Sequence, residues 1–266
     1  MKITNIKTLK KKDLIVFDLD GTIVETKSPM DKEMSELINK LLLKYRVAVI
    51  GGGKYQVFKE LFIHRLNSSK ESLKHLSLFP TTSTSFYRYH NGWKKVYVIN
   101  LSKSEVKRII KAFKEVFNEI GYQHPKKTYG KLIENRDTQV TFSVFGQDIV
   151  KVLGKKGVRM KEQWKKEHTP IKMKITRLMA KRLPDLEVRA AGFTSIDVTK
   201  KGIDKAYGIK QIKKHLKVPV RDMVFIGDAI YPGGNDYAVV RTGVDYIPVA
   251  GPKEAKKIIR GLISKK

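Results

Sequence analysis

Leu14-Ile-Val-Phe-Asp18-Leu-Asp20-Gly21-Thr22 is the stretch that decides the fold: four apolar residues run without a break into two carboxylates and a glycine. A short apolar, β-branched run that stops at acidic residues predicts a buried strand reaching its end. The mouth of such a strand is where open α/β sheets bind ligands, so the paired carboxylates stand where a site belongs. Taken alone, Asp20-Gly21 between apolar stretches also fits a hairpin turn. The flanking sequence has to choose between the two.

Downstream, residues 31–45 place Met34, Leu37, Ile38, Leu41 and Leu42 at helical spacing, and Val47-Ala-Val-Ile50 then reads as a second buried strand ending in Gly51-Gly52-Gly53. Strand, helix, strand is the grammar of a parallel sheet. It returns near the end of the chain, with a helix over 204–216, strands over 223–226 and 246–249, and a last helix from Lys253. Between the two halves the texture changes. Residues 86–100 predict a hairpin turning at Asn91-Gly92, and residues 104–120 an amphipathic helix opened by a serine. Alternating stretches over 140–144 and 186–198 flank helical patterns over 161–168 and 171–182. The reading is a Rossmann-like α/β core, residues 1–97 and 201–266, interrupted by an inserted α+β domain over 98–200.

Composition narrows the chemistry. With 266 residues, 41% of them hydrophobic, the chain can bury a sizeable core. It has no apolar run long enough for a membrane span, and residues 1–13 are lysine-rich without a signal peptide's apolar stretch, so a cytoplasmic protein is expected. Cysteine is absent, which removes disulfides, thiolate metal sites and a cysteine nucleophile. The net charge of +29 attracts anions without saying which. Lysine spread along the whole chain reads as a solvated, lysine-biased surface, and with no accompanying zinc finger, glycine-rich RNA loop or paired aromatic RNA motif it argues against nucleic acid as the partner.

Three ordered stretches then share one pattern. Asp18-Leu-Asp20-Gly-Thr22 resembles the first motif of the haloacid dehalogenase (HAD) superfamily, Gly202-Ile-Asp204-Lys205 its lysine motif, and Gly227-Asp228 with Pro232-Gly-Gly-Asn-Asp236 the acidic motif of its phosphomannomutase-like, Cof-type branch. The resemblance implies a HAD core with a C2-type α+β cap that closes over it, and phosphoryl transfer through an aspartyl-phosphate. Asp18 would be the nucleophile, Asp20 the general acid/base, and Lys205 a fixed positive charge. Mg2+ would be held by Asp18, the Asp20 carbonyl and Asp228, with Asp236 as ligand or close support. The physical logic agrees, since a carboxylate can attack phosphorus only if anionic repulsion is suppressed, and a hard cation with oxygen ligands does that.

One motif departs from the family. Where the second motif offers a serine or threonine hydroxyl, this chain has Gly51-Gly52-Gly53-Lys54. The N–H groups of Gly52 and Gly53 could cradle a phosphate with Lys54 adding charge, or the glycines could serve only to turn the chain. In the insertion, Arg136 resembles the family's phosphate-binding arginine, Ser195-Ile-Asp197 resembles a Ser-Phe-Asp that contacts sugar and phosphate, and Lys27 stands where the family tends to have an arginine. A further family arginine is replaced by Gln147, and the nearby Lys151, Lys155 and Lys156 lack a guanidinium's planar fork. The expected activity is therefore hydrolysis of a sugar phosphate, with a hexose-phosphate mutase as the alternative and a nucleic-acid-binding protein on a decayed site as the remote one. The resemblance also admits a homodimer formed through the cap.

Overall fold

The computed structural model describes residues 1–3, 6–25 and 28–264. The chain runs through β1 (Leu14–Asp18), β2 (Arg46–Ile50), β3 (Leu76–Phe79), β4 (Ser85–Tyr89) and β5 (Trp93–Val98). It continues through β6 (Ile133–Asn135), β7 (Gln139–Ser143), β8 (Leu186–Ala191) and β9 (Ser195–Lys200), and ends with β10 (Met223–Gly227) and β11 (Asp245–Pro248). The larger sheet has the order β11-β10-β1-β2-β3-β4-β5, parallel from β11 to β3 and antiparallel beyond. Asp20-Gly21 therefore does not close a hairpin.

Every residue of β1 is buried because both faces of the sheet are covered. Ile15 and Phe17 join Val47, Val49, Val224 and Ile226 under helices Lys32–Leu42 and Pro252–Ile263. Leu14 and Val16 join Ala48, Ile50 and Phe225 under helix Lys205–Leu216. This is why the parallel strands read as continuous apolar runs rather than alternating ones.

The chain divides into two compact units, Met1–Val98 with Asp204–Lys266, and Ile99–Ile203. The second unit has its own antiparallel sheet, β6-β7-β9-β8. Its core joins Phe113 and Phe117 of helix Lys103–Glu119 to Phe142 of β7 and to Ile175 and Met179 of helix Lys155–Arg182. The serine-opened helix starts on a capping box. Ser102 Oγ accepts from Glu105 N at 3.1 Å, and Glu105 Oε2 accepts from Ser102 N at 2.6 Å.

Two elements differ from the sequence reading. The separate helical patterns over 161–168 and 171–182 are one helix, Lys155–Arg182, that continues through Pro170. Proline removes one hydrogen bond and would ordinarily break the helix, but Trp164, Lys172, Ile175 and Met179 keep one buried stripe across it, so packing overrides the local cost. The alternating stretch over 186–198 is two strands, β8 and β9, paired antiparallel.

Candidate active site

Asp18 ends β1, and the adjacent β10 sets Ile226 level with Phe17, so Asp228 leaves the sheet beside Asp18. Lys205, the first residue of its helix, reaches back to form ion pairs with both Asp18 and Asp236. These are buried pairs, with side-chain exposure of 3% for Lys205, 6% for Asp18 and 0% for Asp236. Asp236 also accepts from Ala229 N at 3.2 Å through its second oxygen. Among the described residues, Asp18, Asp228 and Asp236 each offer a carboxylate oxygen within 4.8 Å of the others.

Two glycines make that convergence possible. At Gly21, φ is +82° and a Cβ would lie 2.5 Å from Asp228 Oδ2; at Gly227 a Cβ would lie 2.4 Å from Asp236 Oδ2. Either side chain would push a carboxylate out of the cluster. Asp20 is half-buried and bridges to Val24 across the tight turn at Gly21. The Thr22 hydroxyl lies 3.5 Å from Asp228 Oδ1.

The sequence reading missed the support for Lys205. Asp204 caps its helix, accepting from Tyr207 N at 2.8 Å, and its other oxygen pairs with Arg241. An Asp immediately before a helical pattern signals the cap, whereas Arg241 lies 37 residues away with no local signal.

The cluster is electrostatically loaded. Burial raises the Asp18 carboxyl well above the usual carboxylate range, Asp236 and Asp228 add to the effect, and Lys205 opposes it. Asp228 is raised chiefly by burial and then by Asp236. Burial acts to lower the Lys205 ammonium, but Asp18 and Asp236 outweigh it and hold the amine protonated. Contact with two carboxylates makes an ammonium the state we assign to Lys205. Three carboxylates against one ammonium leave an excess of two negative charges in a buried site. An oxygen-seeking divalent cation would balance that excess, so the donor set fits Mg2+.

The glycines of the second motif follow β2 and are not equivalent. A Cβ on Gly51 would meet Phe58 at 3.0 Å and one on Gly53 would meet Val57 at 2.9 Å, whereas Gly52 faces open space. The resemblance sets the family's hydroxyl-bearing residue at Gly53, where a side chain would have to displace Val57. Lys54 precedes helix Tyr55–Leu61 as its N-cap residue.

A fourth glycine packs the Lys205 helix. A Cβ on Gly208 would lie 2.5 Å from Ser83 Oγ and 3.1 Å from Ile50 Cδ1. Overpacking costs about 1–3 kcal/mol, against about 1 kcal/mol gained from alanine's helix propensity. Gly208→Ala is therefore expected to destabilise by about 1 kcal/mol in urea unfolding, and by less in a Ser83→Ala background, where the hydroxyl that the new methyl strikes is gone. An equal loss in both backgrounds would show that the contact is not the cause.

In the inserted unit, Arg136 Nε pairs with Glu134 at 2.8 Å, and Arg136 Nη2 donates to Gln147 Oε1 at 2.9 Å. The residue replacing the family's second arginine is thus a partner of the first. Register sets Ser195 opposite Ser143 and Asp197 opposite Thr141, whose hydroxyl donates to Asp197 Oδ1 at 2.8 Å. Ser195 and Asp197, two residues apart on β9, share one face of the sheet. Lys172 steadies the turn between β8 and β9, donating to Gly192 O at 2.7 Å and Ala191 O at 3.1 Å. Burial, with help from Lys165 and against Asp197, brings the Lys172 amine down to about 8. Lys27 lies outside the described residues.

Asp18, Asp228 and Asp236 gathered where parallel strands end, with Lys205 reaching in from its helix, define a class of protein that sequence comparison identifies directly. The chain belongs to the haloacid dehalogenase-like hydrolase family, matched over residues 15–240, and is an enzyme of that family. Phosphomannomutase from Encephalitozoon cuniculi is 26% identical over 263 residues, covering 96% of this chain and 95% of its own. Phosphomannomutase from Saccharomyces cerevisiae is 25% identical over 234 residues, covering 86% and 85%. Among solved structures, IMP-bound IMP-nucleotidase from Plasmodium falciparum superimposes with a TM-score of 0.68 at 14% identity, covering 97% of this chain and 71% of that one. Trehalose-6-phosphate phosphatase from Aspergillus fumigatus gives 0.54 at 15% identity, covering 98% and 96%. These structures share the fold. No helix among the described residues is long and apolar enough to cross a membrane.

Proposed function

We propose that this chain is a magnesium-dependent phosphohydrolase acting on a sugar phosphate through an aspartyl-phosphate on Asp18. The observation that carries the reading is the buried ion pair of Asp18 with Lys205, set beside two further carboxylates at the C-terminal edge of a parallel sheet. Asp18 Oδ attacks phosphorus, the bond to the sugar oxygen breaks, and Asp20 supplies that oxygen's proton. Asp20 then takes a proton from water, which attacks the phosphorus and frees Asp18. Lys205 holds Asp18 in place and offsets charge on the phosphoryl oxygens. Asp18, the Asp20 carbonyl and Asp228, with Asp236 in support, would hold Mg2+, which would supply further charge neutralisation. Arg136, Ser195 and Asp197 are read as substrate contacts, and Gly52, Gly53 and Lys54 as the backbone and charge around the phosphoryl group.

A mutase reading is favoured by one observation, the near full-length similarity to phosphomannomutases. A mutase must retain a bisphosphate, which calls for a strong second phosphate site of planar, bidentate arginines. Gln147 in place of a guanidinium removes one such contact, at about 1.5–3 kcal/mol. Hydrolysis is therefore expected to exceed isomerisation. With mannose 1-phosphate or glucose 1-phosphate and a catalytic amount of hexose bisphosphate, free phosphate should outrun 6-phosphate. A yield of 6-phosphate above free phosphate would establish the mutase instead.

A further inference from the structure

The segment that follows β3 has a conformation unusual for its sequence. Thr81, Thr82 and Ser83 have φ of 47°, 54° and 66°, three left-handed residues in succession and none of them glycine. Each bears a Cβ where that conformation is costly, and two are β-branched. A chain selected only to turn a strand would use glycine or asparagine here. Instead residues 81–85 form an unbroken run of hydroxyl side chains, Thr-Thr-Ser-Thr-Ser. The segment bears a second cost as well. Ser83 Oγ is buried against Gly208 and makes no hydrogen bond. Strain retained in this way points to a function for the segment rather than to a connecting role.

Its location says which function. Phe79 of β3 is level with Ile50 of β2, and Ile50 is level with Asp18, so the chain beyond each of them emerges at the same edge of the sheet. The strained residues are fastened to the second motif itself: Thr81 N donates to Gly53 O and Thr82 N to Gly51 O, both at 2.9 Å. That motif is the one without a hydroxyl, and a side chain on Gly53 would come within 2.9 Å of Val57. Of the three left-handed side chains, Thr81 is engaged with the Thr84 hydroxyl at 2.6 Å and Ser83 is enclosed. Thr82 is half-exposed, and its N–H is held by the Gly51 carbonyl.

We infer that Thr82 supplies the hydroxyl contact to the transferring phosphoryl group that Gly51-Gly52-Gly53 has lost, and that the left-handed turn exists to present it. The inference rests on the phosphoryl-transfer reading above and places the donor on the neighbouring strand end. The Thr82 O–H donates to a non-bridging phosphoryl oxygen, and no covalent bond changes there.

The test compares binding of orthophosphate, with magnesium present, by calorimetry and melting for wild type, Thr82→Gly, Thr82→Ser, and Thr82→Gly combined with Gly52→Ser. Thr82→Gly relieves the left-handed strain, so it should melt higher than wild type while binding orthophosphate about ten- to hundredfold more weakly, the range for a hydrogen bond to an ionised group. Thr82→Ser should stay close to wild type, and Gly52→Ser, entering open space, should recover part of the loss. A merely structural Thr82 would move melting and affinity together. Thr82→Gly binding as tightly as wild type, or Thr82→Ser binding as weakly as Thr82→Gly, overturns this inference alone. A wild type that neither binds orthophosphate nor releases it from phosphomonoesters overturns the phosphoryl-transfer reading, and this inference with it.

Discussion

Asp18→Asn is expected to lower phosphate release by more than about 10⁴-fold while leaving the fold intact, the scale seen when a covalent nucleophile is removed. The amide keeps the shape of the carboxylate but cannot form the acyl phosphate, so what remains is substrate binding and charge stabilisation. Nothing in the packing requires the charge. Lys205 keeps its pair with Asp236, so the amide leaves no buried ammonium unpaired, and it removes one of three carboxylates crowded within 4.8 Å. Melting should therefore be unchanged or slightly raised, as happens where an active site holds a destabilising arrangement. Circular dichroism and a melting curve establish the fold, and phosphate release from a panel of hexose phosphates gives the rate. A variant retaining more than about 1% of the wild-type rate would falsify Asp18 as nucleophile.

Most of the core sheet was legible because its strands are buried on both faces. Leu14 to Phe17, Val47 to Ile50 and Met223 to Ile226 are continuous apolar runs, each ending at a polar or glycine-rich turn. β3 escaped because Leu76-Ser-Leu-Phe79 is short and interrupted by a serine, and a run of that length looks the same in a loop. Helix Lys155–Arg182 read as two because proline is a local signal, while the stripe that bridges it is visible only once a sheet packs beneath. Asp18 and Asp20 stood out at the end of an apolar run, whereas Lys205, Asp228 and Asp236 were picked out by the resemblance of their motifs, because composition alone makes Lys205 one lysine among many. Their supports could not be picked out. Arg241 meets Asp204 only through the fold, and nothing in Gly53 announces that a side chain there would strike Val57.

The same contrast applies to the glycines. Gly21 and Gly227 are spacing residues for a pair of carboxylates, Gly208 makes room for Ser83, and Gly52 alone in the second motif faces open space. One residue type thus serves three physical ends at one sheet edge, and sequence cannot separate them. The positive-φ run at Thr81–Ser83 is the opposite case, since residues that resist the left-handed conformation adopt it in succession. Propensity read from the sequence would place that turn elsewhere.

Removal of magnesium is expected to abolish turnover, with restoration on adding it back, and the cause lies in the charge of the site. Asp18, Asp228 and Asp236 converge within 4.8 Å, and Lys205 offsets only part of their charge. A phosphate ester brings further negative charge, so without a cation the attacking carboxylate faces an anion in a buried, weakly screened site. A hard cation favouring octahedral oxygen ligands relieves this, whereas zinc, which favours nitrogen and sulfur in tetrahedral sites, should replace it poorly. The effect should also appear without substrate. A ligand at a hundredfold excess over its dissociation constant stabilises by about 2.7 kcal/mol, so magnesium should raise the melting temperature of the wild type by several degrees. Asp228→Asn removes one donor and should lose both the melting shift and most of the activity. Undiminished turnover in chelator would refute the aspartyl-phosphate reading. Turnover lost in chelator, with a melting shift that survives in Asp228→Asn, would instead move the cation away from Asp228 and leave Asp18 as nucleophile.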